Sequence, residues 1–121
     1  TYDGGANGEG AVIEYNVTTG SESVLYSFGS VSGDGTLPYG SLIQASDGNL
    51  YGMTYDGGAN GGGAVIEYNV TTGSESVLHS FGSGSDGALP RGSLIQASDG
   101  NLYGMTYDGG ANNQGTVFTI N

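Results

Sequence analysis

Cysteine, lysine and tryptophan are absent from this chain, and it holds one arginine, one histidine and two prolines. Without cysteine there is no disulfide framework and no thiolate metal site. With one histidine a zinc site lacks its usual ligands, so no metal and no cofactor is expected. A single cation against 12 acids leaves a net charge of −11. Nucleic-acid binding draws its affinity from lysine and arginine displacing counterions, and this chain has almost none. Anionic membrane surfaces are disfavoured on the same ground. No apolar run approaches the ~18 residues of a membrane span, and no secretory leader is visible. Helical patterning is missing too. No window keeps an i, i+3, i+4, i+7 apolar stripe without glycine breaking it.

What the sequence does have is repetition. Residues 1–30 recur as 54–83 with 28 of 30 positions identical, the exceptions being Glu9/Gly62 and Tyr26/His79. Residues 34–53 recur as 86–105 with 18 of 20 identical, the exceptions being Thr36/Ala88 and Tyr39/Arg91. A third copy runs from Thr106 to Asn121. A period of 52 to 53 residues marks a repeat architecture whose single unit cannot bury its own apolar faces. TYDGG follows Met53 and Met105 in the internal copies. Thr1 therefore reads either as the residue after a removed initiator Met or as a cut from a longer array.

Each unit reads as four short strands separated by glycine-rich turns. In the middle copy strand A is 41–46 (SLIQAS), B is 49–55 (NLYGMTY), C is 64–70 (AVIEYNV) and D is 76–81 (SVLHSF). Asp47-Gly48-Asn49 and Thr71-Thr72-Gly73 supply the turns, and a Gly/Ser/Asp loop ending at Leu89-Pro90 leads onward. Strands A and B carry apolar or small residues on both faces, which predicts burial on both sides. Strands C and D look more polar, as at an outer rim. Tandem four-stranded antiparallel units predict an all-β fold of β-propeller blades; a β-solenoid is the rival. The expected division is 1–40 as a partial blade (C, D and linker), 41–92 as a complete blade with its linker, and 93–121 as a partial blade (A, B and C). The unmatched strands predict a homo-oligomer that completes composite blades, a trimer giving six or a tetramer giving eight. A longer parent chain would complete the ring equally well.

Chemistry is thinner. His79 stands alone and reads as a rim packing residue, with no partner serine for a triad. Glu14 with Glu22, or Glu67 with Glu75, are the carboxylate pairs open to glycoside hydrolysis, yet they sit on polar strands and read as solvated acids. An enzyme is not expected. The loop TYDGGAN occurs three times. It offers Tyr2, Asp3 and Asn7, then Tyr55, Asp56 and Asn60, then Tyr107, Asp108 and Asn112 as a multivalent sugar-binding set. The same residues also read as turn and packing groups. Asp and Asn oxygens in glycine loops suit calcium, but no D-x-D-x-D-G loop appears. Asn16-Val17-Thr18 and Asn69-Val70-Thr71 are glycosylation sequons.

The segments LIQASDGNLYGMTYDGGAN, G-AVIEYN, VLYSF or VLHSF, and DG--P-G together resemble the GloVer repeat, a Gly- and Tyr-rich tandem repeat first noted in Gloeobacter and Verrucomicrobia. The resemblance covers essentially the whole chain, though family members usually carry more repeats. In the last copy GTVFTIN replaces GAVIEYN. The resemblance implies a bacterial, secreted or surface-attached β-propeller and brings no enzymatic activity with it. DGNLYG is more loosely similar to tachylectin-like sugar-binding propellers. Function is therefore expected to be that of a structural scaffold, with a lectin-like module as the alternative.

Overall fold

The computed structural model describes all 121 residues as eleven strands and no helix. β1 (Ala11–Asn16) and β2 (Ser21–Ser27) form a two-stranded antiparallel sheet. β3 (Gly35–Pro38), β4 (Ile43–Gln44), β5 (Leu50–Gly57), β6 (Ala64–Asn69) and β7 (Ser74–Ser80) form the second sheet. β8 (Gly87–Pro90), β9 (Ile95–Gln96), β10 (Leu102–Gly109) and β11 (Thr116–Ile120) form the third. All strand pairs are antiparallel, and none of the sheets closes into a barrel. The fold is all-β, as the turn spacing predicts.

The turns form for local reasons. Asn69 Oδ1 accepts from the Thr71 and Thr72 amides at 3.0 Å each, and Gly73 closes the turn at φ +71°. Asn16 does the same at the β1–β2 turn. In the turn before β5, Asp47 Oδ1 accepts from the Asn49 amide and its Oδ2 accepts from the Tyr51 hydroxyl at 2.6 Å. A short carboxylate side chain thus stands in for a backbone turn partner.

The innermost strand differs from the sequence expectation. Strand A was expected over residues 41–46 alone, after a loop. Instead it is split: β3 and β4 both pair with β5, and β8 and β9 both pair with β10. Residues 35–38, expected as part of a linker, belong to the second sheet. The split falls at residues 39–42 and 91–94; inside β3 and β8, Leu37 and Leu89 skip the ladder at φ +54°, a left-handed conformation uncommon for leucine. That twist turns each amide away from its own sheet. Leu37 N–H donates to the Glu9 carbonyl, and Leu89 N–H to the Gly62 carbonyl, both at 2.8 Å. Each bond ties one unit to the one before it.

Further ties run between the inner strands. The Ser41 amide donates to Ser93 Oγ at 3.2 Å, and the Ser46 amide to Gln96 Oε1 at 2.8 Å. Gly40 packs so closely on the Gly92 backbone that a side chain there would collide with it. The N-terminal residues act as the stub of a strand B, because Thr1 and Ala11 exchange both backbone bonds.

The core lies between successive sheets. Val12 and Phe28 of the first unit pack on Ala64 and Ile66 of the second. Tyr51, Met53, Val65 and Phe81 of the second pack on Leu94 and Leu102 of the third, with Phe118 and Ile120 against them. β5 is buried on both faces over its centre, as expected. The polar-rim expectation holds for β7 and fails for β6. β6 is buried along most of its length, whereas β1, with the same AVIEYN sequence, is exposed from Ile13 onward. Burial here is set by whether a neighbouring sheet is present on each side.

Candidate functional site: an aromatic cluster and two carboxylate seams

Tyr55 lies near the end of β5, Tyr107 near the end of β10, and Tyr2 in the N-terminal stub. Tyr39 and Arg91 follow the prolines that end β3 and β8. The repeat geometry gathers these five residues. The Tyr2 and Tyr39 rings meet edge to face at 5.9 Å, and Tyr39 meets Tyr55 at 6.3 Å. The Arg91 guanidinium carbon stands 4.3 Å from the Tyr107 ring centre, 5.1 Å from Tyr55 and 5.8 Å from Tyr39. Its Nη2 donates to the Tyr55 hydroxyl at 3.4 Å. That hydrogen bond raises the already high pKa of the guanidinium. The only cation of a chain with net charge −11 is thus parked on aromatic faces in the open.

The structure brings the three tyrosines of the TYDGGAN loops towards one cluster, but not their acids and amides. Asp56 Oδ1 accepts from the Gly57 amide, and Asp108 Oδ1 from the Gly109 amide, each at 2.8 Å. Asn7 Nδ2 donates to the Phe28 carbonyl at 2.9 Å, and Asn60 Nδ2 to the Ser80 carbonyl at 3.4 Å. These side chains fasten their own loops to strand D. Asp3 holds the Thr1 hydroxyl through its backbone carbonyl, and Asn112 is exposed. Tyr39 and Arg91 escaped the sequence reading. The signal was one of the two differences between otherwise matching segments.

A second constellation lies between units. The Tyr26 hydroxyl donates to Asp34 Oδ2 at 2.9 Å, and the Ser30 amide donates to the same oxygen at 3.1 Å. Glu75 of β7 comes against this pair from the next unit. Asp34 Oδ1 and Glu75 Oε1 are buried without a partner. Burial first, then the Asp34 charge, pushes the Glu75 carboxyl up to about 7. One repeat further on, His79 takes the place of Tyr26. Its Nε2 lies 2.8 Å from Asp86 Oδ2, and its ring meets Phe81 edge-on at 4.7 Å. Of the other acids singled out, Glu67 accepts from Asn49 Nδ2 at 2.6 Å, while Glu14 and Glu22 are exposed.

Neither a curated protein nor a solved structure matches the chain. The family model described as the Gloeobacter/Verrucomicrobia repeat does, over residues 1–121. The whole chain is covered, and the protein belongs to that repeat family.

Proposed function

We propose that this repeat module is a non-catalytic β-propeller scaffold that closes its ring by joining copies of itself through composite blades. Its place would be outside a bacterial cell or on its surface, in keeping with the repeat family. The observation that carries the assembly reading is a contrast between matching residues. Met53 is 4% exposed and Met105 is 62% exposed; Val65 is fully buried and Val117 is 76% exposed; Leu94 is fully buried and Leu42 is 40% exposed. The repeat places the same side chain in the same register each time. Only the neighbouring sheet is missing at the two ends. Beside the first unit an apolar cleft of about 440 Å³, lined by Tyr2, Val12, Ile13, Leu42 and Met53, stands where strands A and B would lie. Repeat units gain stability chiefly from such neighbour contacts.

Closed propellers have about 4–8 blades, which at two per chain is two to four chains; the proposed rings are six blades from a trimer or eight from a tetramer. Light scattering coupled to size exclusion should give three or four times the 12.1 kDa chain mass. A particle of 12.1 kDa that unfolds cooperatively would overturn the proposal. A glycan-binding role for the TYDGGAN loops is the second reading. Exposed Tyr107 and Tyr39 beside Arg91, with Tyr2 against Tyr39, favour it. Wild type and a Tyr55→Ala/Tyr107→Ala double variant on a glycan array decide it: sugar signals lost in the variant support the lectin, and no signal from either leaves the scaffold alone.

A further inference from the structure

We infer that Glu22 of a second copy seats against His79 and Asp86 of the first, so that the seam between copies repeats the contact of Glu75 with Tyr26 and Asp34 inside one chain. The inference deepens the self-assembly reading and rests on it.

The template is already in the molecule. Glu75 stands opposite Tyr68 in the β6–β7 register and faces Tyr26 and Asp34 of the preceding unit. Glu22 stands opposite Tyr15 in the β1–β2 register, the same place in the unit, and faces solvent. At the other end, His79 and Asp86 occupy the places of Tyr26 and Asp34, and no strand D follows them. Asp34 is buried, whereas the side chains of Asp86 and His79 remain 29% and 40% exposed. Each end therefore carries the half that the other lacks.

The same one-unit step matches the rest of the surfaces. It sets Met105 of the first copy against Leu42 of the second, as Met53 and Leu94 share a core within the chain. It aligns the Ser93 amide with the second copy's Ser41 hydroxyl and the Ser98 amide with its Gln44, repeating the Ser41–Ser93 and Ser46–Gln96 bonds. The second copy's β1 and the first copy's β11 compete for one strand position. Glu22 keeps its place whichever strand holds it, because β2 pairs with the occupant.

The chemistry suits a joint between two acidic chains. Tyr26 has a single hydroxyl proton, which it gives to Asp34. An imidazole has two ring nitrogens, and as imidazolium both donate. Nε2 faces Asp86, which leaves Nδ1 for the second carboxylate that Glu22 brings. The one histidine of the chain thus falls where acids of two different chains meet.

The absence of cysteine makes the test clean. A Glu22→Cys chain and a His79→Cys chain are unfolded together, refolded as a mixture and mildly oxidised, and the products are run on a non-reducing gel. A disulfide-linked dimer containing one chain of each kind is expected, well above the level in either variant alone. A Val17→Cys chain, at the exposed tip of the β1–β2 turn, paired with His79→Cys sets the background. Oligomers of the correct mass without that cross-link overturn the contact and leave the assembly standing. A 12.1 kDa wild-type particle overturns both. As an independent readout, Glu22→Ala should raise the dissociation constant of the assembly about thirtyfold or more, as loss of one partner in a buried charged contact does. Glu14→Ala, exposed on β1, should leave it unchanged. Equal effects of the two substitutions count against the contact.

Discussion

Phe81→Ala is expected to cost about 3–5 kcal/mol of unfolding free energy, the range for removing a buried aromatic side chain. Phe81 is 1% exposed and lies where the second and third units meet. Its ring contacts Phe118 edge-on at 4.9 Å and His79 at 4.7 Å, and it shares a cluster with Met53, Val65, Leu94 and Leu102. No other core joins those two units, so the loss falls on the joint itself. Domains of this size hold only about 5–15 kcal/mol in all. The urea midpoint should therefore fall by about a fifth or more. A loss below about 1 kcal/mol would mean that the space closes over, against the cavity cost that drives the estimate.

Phe28 provides the comparison. It is the same residue one unit earlier and is also 1% exposed, but it borders the open cleft beside the first unit and belongs to a cluster of four buried residues. A side chain next to open space leaves a hole that its neighbours can relax into. Phe28→Ala should therefore cost less than Phe81→Ala in the isolated chain. The two costs should converge once an assembled copy fills the cleft.

Local patterning carried much of this architecture. The alternation in LYGMTY and AVIEYN announced strands B and C, and Asp-Gly-Asn and Thr-Thr-Gly announced their turns. Each of these depends on residues within one or two turns of chain. The paired segments 35–38 and 87–90 were hidden because Leu37 and Leu89 take a glycine-like φ to reach a carbonyl one unit away. Leu-Pro reads as loop unless that distant acceptor is known. The same holds for the candidate sites. The repeated tyrosines stood out, but their meeting with Arg91 depends on how three units stack. Asp56, Asp108, Asn7 and Asn60 looked like ligand groups by type. Each is committed to a backbone group of its own loop or of strand D. Glu75 was read as a solvated rim acid. It meets Asp34 only because one sheet packs on the next, a contact no local pattern encodes.

Glu75 gives stability a pH dependence whose sign follows from the raised carboxyl. Its pKa is about 7 in the folded chain against 4.5 for a free glutamate, burial being the main cause and the Asp34 charge the second. The Tyr26 hydroxyl offsets part of this, but its proton is donated to Asp34. The folded state therefore holds a proton that the unfolded chain releases. Stability from this group is complete below about pH 4.5, declines as pH rises, and is lost once pH passes about 7. A shift of this size corresponds to about 3 kcal/mol at most, and to about 1–2 kcal/mol after allowing for partial solvent access. Glu75→Gln keeps the shape and removes the charge. At pH 8 the variant should be more stable than wild type by about 1–2 kcal/mol, and near pH 4.5 the two should agree. Comparing the pair at each pH cancels the general repulsion among the other acids, which both chains share. The measurement is a urea titration of both chains at pH 4.5, 6 and 8. A difference that stays constant across the three would show that Glu75 titrates alike in the folded and unfolded chains. That would place its carboxylate in water, outside the seam between the first and second units.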